Sequence, residues 1–121
     1  MLVAVPILDG HVAPRFGFAD SFLIGEIAGG RVTRVDRIQV MHRGFAGRLG
    51  ALRGLGVEVV VCGGFNRAFL PLAEELEMRV LAGVAGEARR AMDEFAAGRL
   101  VAAGPCRAAR RRAGICRKDE R

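Results

Sequence analysis

The chain has 121 residues, of which 51% are hydrophobic and 26% charged, with a formal net charge of +6. This is the length of one domain with a full core, and no apolar run nears the roughly 20 residues of a membrane span. Residues 1–98 hold 11 Arg against 11 Asp or Glu, while residues 99–121 hold seven Arg and one Lys against Asp119 and Glu120. The positive charge therefore belongs to the tail. That excludes a nucleic-acid footprint over the whole surface and leaves at most a basic arm.

Three cysteines, an odd number, argue against a disulfide framework. The first residues carry no basic segment and too short an apolar run for a signal peptide, so a cytoplasmic location is expected.

Taken in order, residues 2–7 form a short apolar run that predicts a buried strand, with Pro6 near its end. Asp9-Gly10 marks a turn. Residues 11–20 are too rich in Pro and Gly for regular structure and read as a long loop of the functional kind. Residues 21–27 predict a second strand and residues 31–40 a third, joined at Gly29-Gly30 as a hairpin. An offset in the alternation near residues 34–36 predicts a bulge there.

Residues 41–44 read as a loop carrying His42 and Arg43. Residues 45–55 have helical spacing at Phe45, Leu49 and Leu52, weakened by Gly47, Gly50 and Gly54. Gly47 and Gly50 are read as places where a ligand or the sheet comes close.

Residues 56–64, Gly-Val-Glu-Val-Val-Val-Cys-Gly-Gly, are the strongest signal in the chain. The valines favour a pleated backbone. The lack of alternation after Glu58 predicts a central parallel strand covered on both faces. Gly63-Gly64 then lets the backbone turn and approach a ligand, as at the carboxyl end of an α/β sheet.

Asn66 is a candidate cap, and Pro71 predicts a helix starting near Leu70. Residues 78–82 predict a short strand and residues 83–86 a glycine-rich turn. Residues 87–97 are the clearest amphipathic helix, with Ala88, Ala91, Met92, Phe95 and Ala96 on its apolar face and Gly98 ending it. The expected architecture is an α/β fold, a mixed five-stranded sheet flanked by helices. Residues 103–121 read as a basic, mobile tail.

Three segments together resemble the dinitrogenase iron–molybdenum cofactor biosynthesis family. They are Val3-Ala4-Val5-Pro6 through Pro14-Arg15-Phe16-Gly17-Phe18-Ala19 and Phe22-Leu23-Ile24, then residues 56–64, then Val80-Leu81-Ala82-Gly83 through Gly86. The resemblance spans residues 1–102 and implies a ribonuclease-H-like sheet. It also implies a non-catalytic protein that binds or carries an iron–molybdenum cofactor, a related metal–sulfur cluster or a precursor. Its partners would be cofactor-assembly proteins or nitrogenase. Family members commonly carry His before Phe-Gly in the first loop. Here that position is Arg15, which pairs with an anion and does not ligate a metal.

The candidate cofactor-binding residues are Arg15, Phe16, Gly17, His42, Arg43, Cys62, Gly63, Gly64 and Gly86. His42 and Cys62 are the candidate metal ligands, because imidazole and thiolate suit iron and softer metals. Cys62 reads more readily as a small buried hydrophobe at a strand end, and His11 as an exposed loop residue. Cys106 and Cys116 are too far apart for a tight zinc site.

Two other functions remain open. One is a small-anion or nucleotide-binding sensing module using Arg15, Arg43 and the turn N–H groups. The other is a metal-dependent nuclease, for which Asp9, Glu26, Asp36 and Glu58 show no evident convergence.

Overall fold

Most of the sheet is attached to β1 (Leu2–Leu8). The structure is a computed structural model and describes residues 1–19, 21–40 and 44–99. β1 pairs antiparallel with β2 (His11–Val12) and with β3 (Ser21–Ala28), and parallel with β5 (Val57–Val61). β3 pairs antiparallel with β4 (Arg31–Gln39), and β5 pairs parallel with β6 (Arg79–Leu81). The strand order is β4-β3-β1-β5-β6, with β2 off that path on β1.

The fold is thus mixed α/β, with six strands among the described residues. The five expected strands are all present, and the parallel pair and antiparallel hairpin are as expected. The sixth strand corrects the reading of residues 11–20 as wholly irregular. Asp9 and Gly10 both have positive φ, 52° and 81°, the type I′ geometry that returns the chain directly onto its own strand. The result is a two-residue strand, too short to show a period in the sequence. A single 3₁₀ turn, Phe16–Phe18, follows in the same loop.

The valine-rich strand β5 lies inside the sheet, but the middle position belongs to β1. β1 takes that place because it has neighbours from both the antiparallel hairpin and the parallel unit.

Among the described residues three α-helices cover the sheet: α1 (Phe45–Gly54), α2 (Leu70–Glu75) and α3 (Ala88–Ala96). Alternation sends Val3, Val5 and Ile7 of β1 and Val59 and Val61 of β5 into a core with Ala88, Ala91 and Met92 of α3. Ala4, Phe22, Ile24 and Val60 point the other way, toward Leu49 and Leu52 of α1 and Ala73 of α2. With both faces buried, the strands have no need of a polar side, which is why they read as continuous apolar runs.

Local chemistry accounts for the joints. The β3–β4 turn has Gly29 and Gly30 at φ 61° and 78°, again type I′. The bulge in this hairpin lies one step earlier than residues 34–36. The register shifts between Glu26 and Ile27, leaving Thr33 as the extra residue of β4. The Thr33 hydroxyl donates to the Glu26 carbonyl at 3.1 Å, using an acceptor on the facing strand.

Asn66 caps the 3₁₀ turn Arg67–Phe69, accepting from the Ala68 N–H at 3.0 Å, and α2 starts one residue later with proline in its first turn. Gly50 faces open space, so the sheet does not come close there.

Gly25 is the point where α3 meets β3. A Cβ there would run into Met92 Sδ, so any side chain at this position requires the fully buried methionine to shift. Gly25→Ala is expected to destabilise the fold by about 1–3 kcal/mol through overpacking. In Gly25→Ala/Met92→Ala the combined loss should fall short of the sum of the single variants, because the alanine fills space the methionine leaves. Gly50→Ala, in a helix with open space at Cβ, is expected to stabilise by about 0.5–1 kcal/mol. Urea denaturation of the four variants measures all of these effects.

Candidate functional site at the carboxyl end of the sheet

Register places the candidate residues. Ile7 pairs with Ser21, Ser21 with Gln39, and Val61 with Leu81. The carboxyl ends of β1, β4, β5 and β6 therefore lie at one edge, and the segments that follow them leave from that edge. In an α/β sheet this is the edge where ligands bind.

The first loop is fastened there by backbone hydrogen bonds. The Gly64 N–H donates to the Pro14 carbonyl at 2.6 Å and the Phe16 N–H donates to the Gly64 carbonyl at 2.9 Å. The turn after β6 is tied in as well. The Val84 N–H donates to the Cys62 carbonyl at 2.9 Å, and the Gly83 N–H to the Gly63 carbonyl at 2.7 Å. The Val12 N–H donates to the Gly86 carbonyl at 2.8 Å, and the Ala88 N–H donates to the Gly10 carbonyl at 3.0 Å. Three segments distant in sequence thus share one hydrogen-bonded edge.

These bonds give Gly63 and Gly64 a structural reason. A Cβ on Gly63 would lie 2.7 Å from the Ala13 carbonyl oxygen, and one on Gly64 would lie 2.9 Å from that of Pro14. The close approach anticipated at this pair is made by the chain's own first loop. Gly86, at φ 102°, has open space where a Cβ would stand.

The first loop closes over a cluster of rings that the sequence reading missed. Phe16 is fully buried and meets Phe22, Phe45 and Phe65 at centroid separations of 5.6, 4.9 and 5.3 Å. Phe45 stacks on Phe69 at 4.3 Å with the planes 9° apart, and meets Phe65 edge-on at 4.9 Å. Phe45, Phe65 and Phe69 are half-buried, so the cluster reaches the surface at this edge. Each ring comes from a different local setting, which leaves no periodic signal. Only their joint position after the strand ends could have suggested the cluster.

The structure brings Arg15, Phe16, Gly17, Cys62, Gly63, Gly64 and Gly86 to this edge in different roles. Arg15 is exposed and bridges in register with Gly64. Phe16 is core. Gly17 lets the Phe45 ring approach, at 3.3 Å from where a Cβ would be. Cys62 is 0% exposed and packs in the apolar cluster with Ala13, Phe16 and Val60. His42 and Arg43 lie outside the described residues, as do Cys106, Cys116 and the rest of the tail. His11 is exposed, with Nδ1 3.1 Å from the Asp9 carbonyl oxygen.

Among the described residues no three His, Cys, Asp or Glu side chains group as a metal site. Also among them, no helix is long and apolar enough to cross a membrane.

Beside Arg15 lies a cavity of about 490 Å³ whose lining includes Asp9, Ser21 and Arg37. Arg37 was absent from the sequence-derived candidates. Its position on β4 reads as an ordinary outward residue until pairing with Leu23 carries it toward the first loop.

The profile of the family described as dinitrogenase iron-molybdenum cofactor matches residues 1–98. No curated protein matches the chain in sequence. Among solved structures, the protein PH0822 is similar at a TM-score of 0.80 and 24% identity, covering 87% of this chain and 96% of its own. The apo form of the orange protein from Desulfovibrio gigas is similar at 0.68 and 25% identity, covering 86% and 94%. A proposed dinitrogenase from Methanocaldococcus jannaschii is similar at 0.67 and 16% identity, covering 84% and 92%.

The fastening of the first loop can be tested directly. Gly63→Ala is expected to push the loop off the strand end, lowering stability by about 1–3 kcal/mol. Amide hydrogen exchange at Phe16 should speed up more than at Val60 in the same variant, since the opening is local.

Proposed function

The chain belongs to the dinitrogenase iron-molybdenum cofactor family, and we propose on that premise that it is a non-catalytic binder of an anionic metal–sulfur cofactor or its precursor. The cofactor is cargo, held at the carboxyl edge of the sheet and passed on to an assembly protein or to nitrogenase. The observation that carries this reading is the family match over residues 1–98, which includes every segment at that edge.

The strand order supports reading the sheet as ribonuclease-H-like, with three antiparallel strands, β1, β3 and β4, and two, β5 and β6, parallel to β1. That likeness of fold is not a warrant for nuclease chemistry. No grouping of carboxylates among the described residues favours it.

The exposed cation Arg15 suits an anionic cargo. A guanidinium attracts and hydrogen-bonds an anion without competing for its metal. His42 is the proposed direct ligand, and Arg43 a second cation. Cys62 is fully buried, so its thiol can reach a cargo only if the packing around it opens. Gly86 leaves the turn after β6 open enough for cargo to approach.

The test is an anaerobic titration of the purified protein with isolated iron–molybdenum cofactor, followed by gel filtration and assay of iron and molybdenum in the protein peak. Stoichiometric retention is expected in the wild type, falling in Arg15→Ala and lost in His42→Ala. Cys62→Ala is expected to retain the metals. Loss in that variant would put the thiol on the cargo and require the loop to open. A wild-type protein that elutes without either metal would remove the reading.

A further inference from the structure

We propose that the cavity beside the first loop binds a small phosphomonoester, its phosphate held between Arg15 and Arg37. The cavity measures about 490 Å³, and its lining includes these two arginines and Ser21. Its remaining lining is largely apolar and includes Ile7 and Pro14. A pocket of this size takes a small organic molecule and exceeds what inorganic phosphate alone would fill.

The head group follows from the donors. Arg15 comes from the first loop and Arg37 from β4, so two planar forks belong to different elements. One fork engages both oxygens of a carboxylate. A phosphate dianion has three acceptor oxygens and can engage both forks together with the Ser21 hydroxyl. The described lining also includes the acidic Asp9.

The body of the ligand follows from what is missing. No aromatic residue belongs to the described lining, and the five-ring cluster involves Phe16 and its neighbours elsewhere. A nucleobase therefore finds no ring to stack on. A short aliphatic body fits the Ile7 and Pro14 side.

This inference goes beyond the cargo reading and does not depend on it, because its test contains no metal. Isothermal titration at low salt would use glycerol 3-phosphate, inorganic phosphate and adenosine monophosphate. Glycerol 3-phosphate should bind, inorganic phosphate more weakly, and adenosine monophosphate no more tightly than glycerol 3-phosphate. Arg37→Ala and Arg15→Ala should each weaken binding about tenfold, as expected for one charge-assisted contact. Arg34→Ala should leave it unchanged, since Arg34 pairs with Asp36 at 3.1 Å and lines a different cavity.

In wild type, amide resonances of Ser21 and Arg37 should shift on titration. Thermal unfolding of each variant checks that it is folded. Absence of binding by glycerol 3-phosphate, or undiminished binding by folded Arg37→Ala, would overturn the proposal. Tighter binding of adenosine monophosphate would overturn the choice of an aliphatic body.

Discussion

Apart from the exposed Glu58, β1 and β5 are apolar on both faces. Val3, Val5, Val59 and Val61 fill one side of the sheet, and Ala4, Val57 and Val60 the other. Fully burying a valine is worth roughly 1.5–3 kcal/mol, so strands of this kind are stable only when both sides are covered. That requirement places α3 on one face and α1 and α2 on the other. Chemistry is then confined to the ends of the strands, where the chain must leave the sheet and backbone groups need new partners.

At the carboxyl edge those partners are other loops. The first loop bonds to Gly64, the turn after β6 bonds to Cys62 and Gly63, and the β1–β2 turn bonds to the start of α3. The glycine pair serves this mutual packing, since a side chain at either position would collide with a carbonyl oxygen of the first loop. A feature that reads as an opening for a ligand is occupied by the protein itself. The open, charged part of the edge lies beside Arg15, where β4 contributes Arg37. An anionic cargo and a small phosphomonoester both call for cations of this kind, so the two proposals meet at Arg15. They differ in what else is needed: His42 for a metal, Arg37 for a phosphate.

Residue chemistry alone set much of the fold. The valine run, the amphipathic pattern of α3, proline at the start of α2, and the Gly29-Gly30 turn each act within a few residues, so they are legible without the rest of the chain. The same holds for the neutral body and basic tail. The family resemblance was carried by short motifs in the right order and matched the family profile.

Tertiary structure decided what depends on contacts between distant segments. It placed β1 in the middle position and put the bulge at Thr33, because register is a property of two strands together. It turned Phe16 and Cys62 inward and gathered Phe45, Phe65 and Phe69 around the first loop. It also brought Arg37 to the cavity beside Arg15. Alternation along a strand says only that such a residue faces away from its neighbours in sequence. What it faces is set by pairing and packing across the sheet, and so the sequence by itself determined the elements while only the folded chain decided which side chains share a site.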